Sequence, residues 1–112
     1  MTPKQLLKIV VEAAEDVQAV DLLVLDLTHL TSFTDYFVIC SGRSDTQVKA
    51  IGDSILKKVK DKKRLPIGVE GHREGEWVLV DFGDVVAHIF HQEVREFYNL
   101  EKLWADAPHI KL

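Results

Sequence analysis

The stretch Trp77 to Phe90, WVLVDFGDVVAHIF, constrains the fold more than any other part of the chain. Alternating runs flank Gly83-Asp84, and a glycine–acid pair in that position signals a two-residue hairpin turn with glycine first. This register sets Phe82 opposite Val85, Val80 opposite Ala87 and Val78 opposite Ile89. One face of the hairpin then carries Val78, Val80, Phe82, Val85, Ala87 and Ile89, all apolar, and belongs in a core. The other face carries Trp77, Leu79, Asp81, Val86, His88 and Phe90, large apolar groups mixed with one acid and one imidazole.

The same register separates the two aspartates. Asp84 belongs to the turn and Asp81 to a strand face, so nothing obliges them to converge as a metal-binding pair would require. The DFG inside the stretch is shared with the magnesium motif of kinases, but 112 residues cannot house a kinase and the companion motifs are missing. His88 and His91 straddle a strand end with no third ligand placed beside them. The expectation is neither a metal nor a cofactor, and no catalytic residue.

Around the hairpin, helical and strand patterns alternate. A helix is expected from Thr2-Pro3, a helix-start pair, with Leu6, Val10, Ala13, Ala14 and Val17 as its apolar stripe. Asp21 to Leu27 and Asp35 to Ser41 read as strands joined by the polar THLTSFT. SGRSDTQ leads into a second helix with Val48, Ile51, Ile55 and Val59 on one side. Ser44 and Gln47 fit a capping box there, a better account than a phosphate cradle, since a Walker lysine and the glycine triplet are absent. Leu65 to Glu70 is a short strand candidate with Pro66 near its start, and Gln92 to Ala105 is helical but broken at Asn99. The pattern predicts an α/β (α+β) domain over residues 1–112: one mixed sheet with helices packed on it.

Charge is unevenly spread. The net charge is −4, yet Lys57 to Arg64, KKVKDKKR, carries six basic residues and one acid. The rest of the chain therefore holds eight basic against 17 acidic residues, an excess that repels phosphate backbones and attracts basic protein surfaces. The run itself reads first as the end of a helix, where cations meet the negative end of the dipole. Contact with nucleic acid through Lys57, Lys58 and Lys60 is the alternative. Apolar runs such as LLVL are far short of a membrane span. Residues 1–20 carry acids and no small-residue cleavage site, so no signal peptide is expected. The lone Cys40, inside YFVIC, is expected to be a buried thiol in a reducing compartment, the cytosol.

Two readings of the mixed hairpin face stay open on periodicity alone. Either the C-terminal helix covers it, or part of it remains accessible beside the aromatic tail FYNLEKLW, which supplies Phe97, Tyr98, Leu100, Leu103 and Trp104 within eight positions. Aromatic and leucine side chains edged by carboxylates have the make-up of a protein-binding hot spot.

TDYFVICSGRS (Thr34–Ser44), GVEG (Gly68–Gly71), Trp77, VDFGDVVAHIF (Val80–Phe90) and REFYNLEKLW (Arg95–Trp104) together resemble the ribosomal silencing factor, or Iojap, family across about Asp21 to Ala105. The resemblance implies a fold similar to nucleotidyltransferases with their chemistry missing. Here the loop reads Gly42-Arg43-Ser44 and the next acid, Asp45, begins a helix. It further implies binding to the large ribosomal subunit at the fourteenth protein of its series. There the protein would block joining of the small subunit and repress translation when nutrients are scarce; it also implies a homodimer when free. Carried onto this chain, Trp77, Leu79, Tyr98, Leu100 and Trp104 would be the apolar contacts, with Glu70, Asp81, His88 and Glu101 the polar ones. The competing classes are a nucleotidyltransferase-like enzyme, using Asp81, Asp84 and the Ser41–Ser44 loop, and a direct RNA-binding module.

Overall fold

The computed structural model describes residues 1–112. The chain runs α1 (Pro3–Asp16), β1 (Val20–Asp26), β2 (Tyr36–Gly42), α2 (Asp45–Asp61), β3 (Gly68–Glu70), β4 (Trp77–Asp81), β5 (Val85–His91), α3 (Gln92–Tyr98) and α4 (Leu100–Leu103). The strands form one mixed sheet in the order β1-β2-β5-β4-β3, with β2 and β5 parallel and every other pair antiparallel. No helix is long and apolar enough to cross a membrane.

Local sequence explains the helix starts. Thr2 Oγ1 accepts from the Gln5 N–H at 3.1 Å while Gln5 Oε1 accepts from the Thr2 N–H at 2.8 Å, a full capping box ahead of Pro3. At α2 the expected box is only half made. Ser44 Oγ accepts from the Gln47 N–H at 3.1 Å, but Gln47 Oε1 takes the Arg43 N–H at 2.6 Å instead of that of Ser44. The Gln47 amide also donates to the Gln18 carbonyl at 3.0 Å, tying the start of α2 to the α1–β1 turn.

The hairpin has the expected register: Val78 pairs with Ile89, Val80 with Ala87, and the Phe82 N–H donates to the Val85 carbonyl at 2.9 Å. Gly83 sits at φ +91°, a conformation open to glycine at little cost. The apolar hairpin face joins Val24, Tyr36, Val38 and Cys40 of β1 and β2 beneath the stripes of α1 and α2, giving a core of 20 buried residues. Cys40 lies fully inside it, where burial pushes the thiol up to about 12. Strand β3 is shorter than expected: Leu65 to Ile67 lie outside it, although the Ile67 N–H still reaches the Asp81 carbonyl at 2.7 Å.

On the opposite face a second cluster gathers Leu25, Leu27, Phe37, Ile39, Val86, Phe90 and Ala107. It is covered by the C-terminal arm, with Phe33 of the β1–β2 loop at its edge. Neither α3 nor α4 contains a buried residue, and Asn99, left-handed at φ 46°, breaks the two apart as the sequence suggests. The arm returns to the sheet edge, where Asp26 N–H donates to the Pro108 carbonyl and Ile110 N–H to the Val24 carbonyl at 2.8 and 2.9 Å.

Candidate functional site: an aromatic band on the half-covered sheet face

Side chains of paired residues point to the same side of a sheet, so the register alone sets out this face. One row across it reads Glu70, Leu79, His88, Ile39 and Leu23; a parallel row holds Asp81, Val86, Phe37 and Leu25. Trp77 stands beside Phe90 on the next row.

Six rings form a continuous band over these rows. Tyr98 packs on Trp77 with centroids 4.8 Å apart, and Trp77 lies against His88 at 5.9 Å. His88 meets Phe37 at 4.6 Å, Phe37 meets Trp104 edge-on at 5.8 Å, and Trp104 meets Phe33 at 6.1 Å. The middle of the band is buried and its ends are open: Tyr98 is 54% exposed and Phe33 62%. Trp77 and Trp104 are half-buried, and exposed Phe97 and Leu103 extend the patch beyond Tyr98 and Trp104. Part of this face is thus covered by the arm and part stays open beside the aromatic tail.

The individual residues fall into distinct positions. Leu79 and Leu100 are half-buried at the edge of the cluster, and Glu70 is exposed on the edge strand β3. His88 departs from the expected contact role. It is 5% exposed, and the indole Nε1 of Trp77 donates to its Nδ1 at 3.1 Å, so it braces the tryptophan from behind. Its Nε2 is buried without a partner, and desolvation pulls its pKa down to about 4, leaving the ring neutral near pH 7. Asp81 is half-buried and partly committed: its Oδ1 accepts the Gly83 N–H at 2.7 Å, fastening the hairpin turn from the strand side.

Asp84 is engaged elsewhere. Its carboxylate takes Arg64 Nη2 at 2.6 Å, and its carbonyl accepts from the Tyr36 N–H at 3.1 Å. The two aspartates of the DFGD stretch therefore serve different partners. Arg64 also donates to the Phe82 carbonyl at 2.7 Å, so the last cation of the basic run is structural and half-buried. Lys58 is paired with Asp16, while Lys57 and Lys60 stay exposed.

Phe33 and Phe37 were invisible as site residues in the sequence. Phe33 lies in a polar loop, where one exposed aromatic residue was the only signal; Phe37 sat in a strand whose seven residues are all buried.

With this geometry in hand, comparison with known proteins is decisive. The model of the family "Ribosomal silencing factor during starvation" matches residues 1–112. The chain belongs to the ribosomal silencing factor family. The ribosomal silencing factor of Bacillus subtilis is 47% identical over 108 residues, covering 96% of this chain and 92% of that one. A crystal structure from Chromobacterium violaceum superposes with a TM-score of 0.92 at 41% identity, covering 94% and 88% of the two chains. A mouse protein named "Mitochondrial assembly of ribosomal large subunit protein 1" is 38% identical over 87 residues, 75% of this chain and 38% of its own length. The aromatic band is thus a surface of a ribosomal silencing factor, a regulatory protein family, with a five-stranded mixed sheet as its scaffold.

Proposed function

We propose that this protein represses translation by steric occupation: it docks on the large ribosomal subunit, at the fourteenth protein of its series, and prevents the small subunit from joining. The observation that carries the reading is the aromatic band, buried at its centre, open at Tyr98 and Phe33, and bordered by Glu70 and Asp81. Desolvated aromatic anchors inside a polar rim are what a protein interface needs. The acidic balance of the chain outside Lys57–Arg64 suits a basic ribosomal protein, since opposite potentials speed encounter and penalise wrong partners. The name of the mouse relative supports the large subunit as the target.

In this reading Trp77, Tyr98, Leu100 and Trp104 are the anchors, Leu79 widens the apolar floor, and Glu70 and Asp81 face cations, whereas Glu101, expected among these acids, is paired within the chain with Arg95 at 3.3 Å. His88 contributes by holding Trp77 rather than by touch. Blocking an association requires no bond chemistry, so the protein acts as a non-enzymatic repressor, on a nucleotidyltransferase-like scaffold without the paired carboxylates. Nutrient limitation is the expected setting and the cytoplasm the expected location. Lys57 and Lys60, both exposed, are the peripheral contacts to ribosomal RNA in this reading. A half-covered apolar face also favours self-pairing, so the free protein is a homodimer whose interface competes with the ribosome.

Purified large subunits provide the test. Trp77→Ala and Tyr98→Ala should lose co-sedimentation and no longer reduce subunit joining in a gradient. Full binding and silencing by both variants, with melting curves like the parent, would refute the docking surface.

A further inference from the structure

Within the motif Arg95–Trp104 most large side chains face the aromatic band or solvent, whereas Arg95 turns inward and its side chain is only 12% exposed. Its guanidinium joins three segments distant in sequence. Nη1 donates to the Asp21 carbonyl at 2.8 Å and to Ser41 Oγ at 3.0 Å, and Nε donates to Glu101 Oε2 at 3.3 Å. Asp21 sits at φ 49°, in the register irregularity between Val20 and Leu23, which turns its carbonyl toward the arm. The Arg95 carbonyl accepts the Asn99 N–H at 2.8 Å and so closes α3 at the elbow. No residue of α3 or α4 is buried, and the next backbone tie to β1 comes only at Pro108. Between those points the arm is held by this clasp, by the half-buried Val94, Leu100 and Trp104, by buried Ala107 and by Tyr98 on Trp77.

We propose that Arg95 is a positioning residue for the docking surface. Its fork, bound to Asp21, Ser41 and Glu101, sets the α3–α4 elbow so that Tyr98 lies on Trp77 while Trp104 lies on Phe37. A guanidinium suits the task because its planar donors reach several acceptors at once in fixed directions, which an ammonium cannot do. Pre-ordering the elbow matters because any freedom left in the free protein must be removed on binding, at a cost in affinity. The proposal rests on the docking reading above.

The test uses the full chain, purified large subunits and Arg95→Gln, with Tyr98→Ala as the reference for direct contact. Amide hydrogen exchange of free Arg95→Gln should quicken by about tenfold or more from Phe97 to Trp104 while β4 and β5 keep their protection. Affinity for the subunit should fall by about tenfold, with the salt dependence of binding unchanged. Arg95→Lys should fall between parent and Gln on both measures. If Arg95→Gln folds poorly, Glu101→Ala, which removes one of the three acceptors, should show the same local rise in exchange. A uniform rise across the chain would make Arg95 an ordinary stabilising residue and overturn the proposal. A flattened salt dependence would overturn it in favour of direct contact with the partner. Loss of binding in Tyr98→Ala but not in Arg95→Gln would reject the clasp and keep the docking surface, whereas parental binding by Tyr98→Ala would reject the surface itself.

Discussion

The indole N–H of Trp77 donates to Nδ1 of His88 diagonally across the β4–β5 pair, two register positions apart. With Nδ1 an acceptor, the neutral ring carries its proton on Nε2, and that atom is buried without a partner. A half-buried tryptophan is thereby held in one orientation by a ring that also packs against Phe37. An unsatisfied buried donor normally costs about 1–3 kcal/mol, which marks this pair as a place where stability is given up to fix a ring.

The pair makes stability depend on pH. The pKa of His88 is depressed by burial to about 4, below the ordinary 6.5, so between those values the unfolded chain binds the proton and the folded one resists it. Stability is then complete above about pH 6.5, declines as pH falls toward 4, and is lost by up to about 3 kcal/mol at the bottom of that window. Urea unfolding at several pH values should show the slope, and His88→Phe should flatten it. The carboxyl of Asp26, held below the ordinary 3.8 chiefly by its hydrogen bond from the Thr28 hydroxyl, adds its own loss mainly below about pH 4.5, at the bottom of that window.

Removing the N–H alone separates bracing from bulk. Trp77→Phe keeps a ring on the band but leaves His88 Nδ1 buried without its donor, and should cost about 1–3 kcal/mol in urea unfolding. Tyr98→Ala removes a ring that is 54% exposed and should shift stability by no more than about 1 kcal/mol, yet it should lose most ribosome binding. A Tyr98 variant that binds normally would place the contact elsewhere.

Gly71 links a turn to the site. It adopts φ +76°, and a Cβ there would lie 1.9 Å from the Trp77 carbonyl oxygen, a backbone atom with no room to yield. Gly71→Ala should therefore destabilise by about 3 kcal/mol or more and displace Trp77, lowering the melting temperature and ribosome affinity together. An unchanged melting curve would contradict the clash.

The basic run divides into two kinds of residue. Arg64→Ala breaks a partly buried pair with Asp84 and a bond to the Phe82 carbonyl, and should cost about 1–3 kcal/mol in urea unfolding without altering the salt dependence of ribosome binding. Lys57→Glu with Lys60→Glu alters exposed positions, so stability should stay within about 0.5 kcal/mol while binding weakens and its salt dependence flattens. Unchanged binding in the double variant would assign these lysines to solvent.

The hairpin, both long helices and the break at Asn99 were legible in the chain because each rests on local rules: a period of two or 3.6, a cap, a turn residue. The register followed from Gly83-Asp84 and matched pair by pair from Val78 to Ile89. Strand order was not legible. The central parallel contact of β2 with β5 joins residues about fifty apart, and nothing local encodes which strands meet. Gln47 likewise looked like a box partner for Ser44, but its oxygen took the Arg43 N–H instead, and its amide N–H reached the Gln18 carbonyl of the packed α1–β1 turn.

The candidate site divides along the same line. Sequence determined that a mixed face existed, that it carried Trp77, Leu79, Asp81 and His88, and that an aromatic tail followed it. Only the tertiary structure decided that His88 would be sealed behind Trp77, that Phe33 and Phe37 would complete the band, and that Arg95 would reach Asp21 and Ser41. The physical reason is range. Alternation fixes which way a side chain points from its own strand, whereas burial and ring contacts depend on what other segments bring across the sheet, and that is settled only when the arm folds back over it.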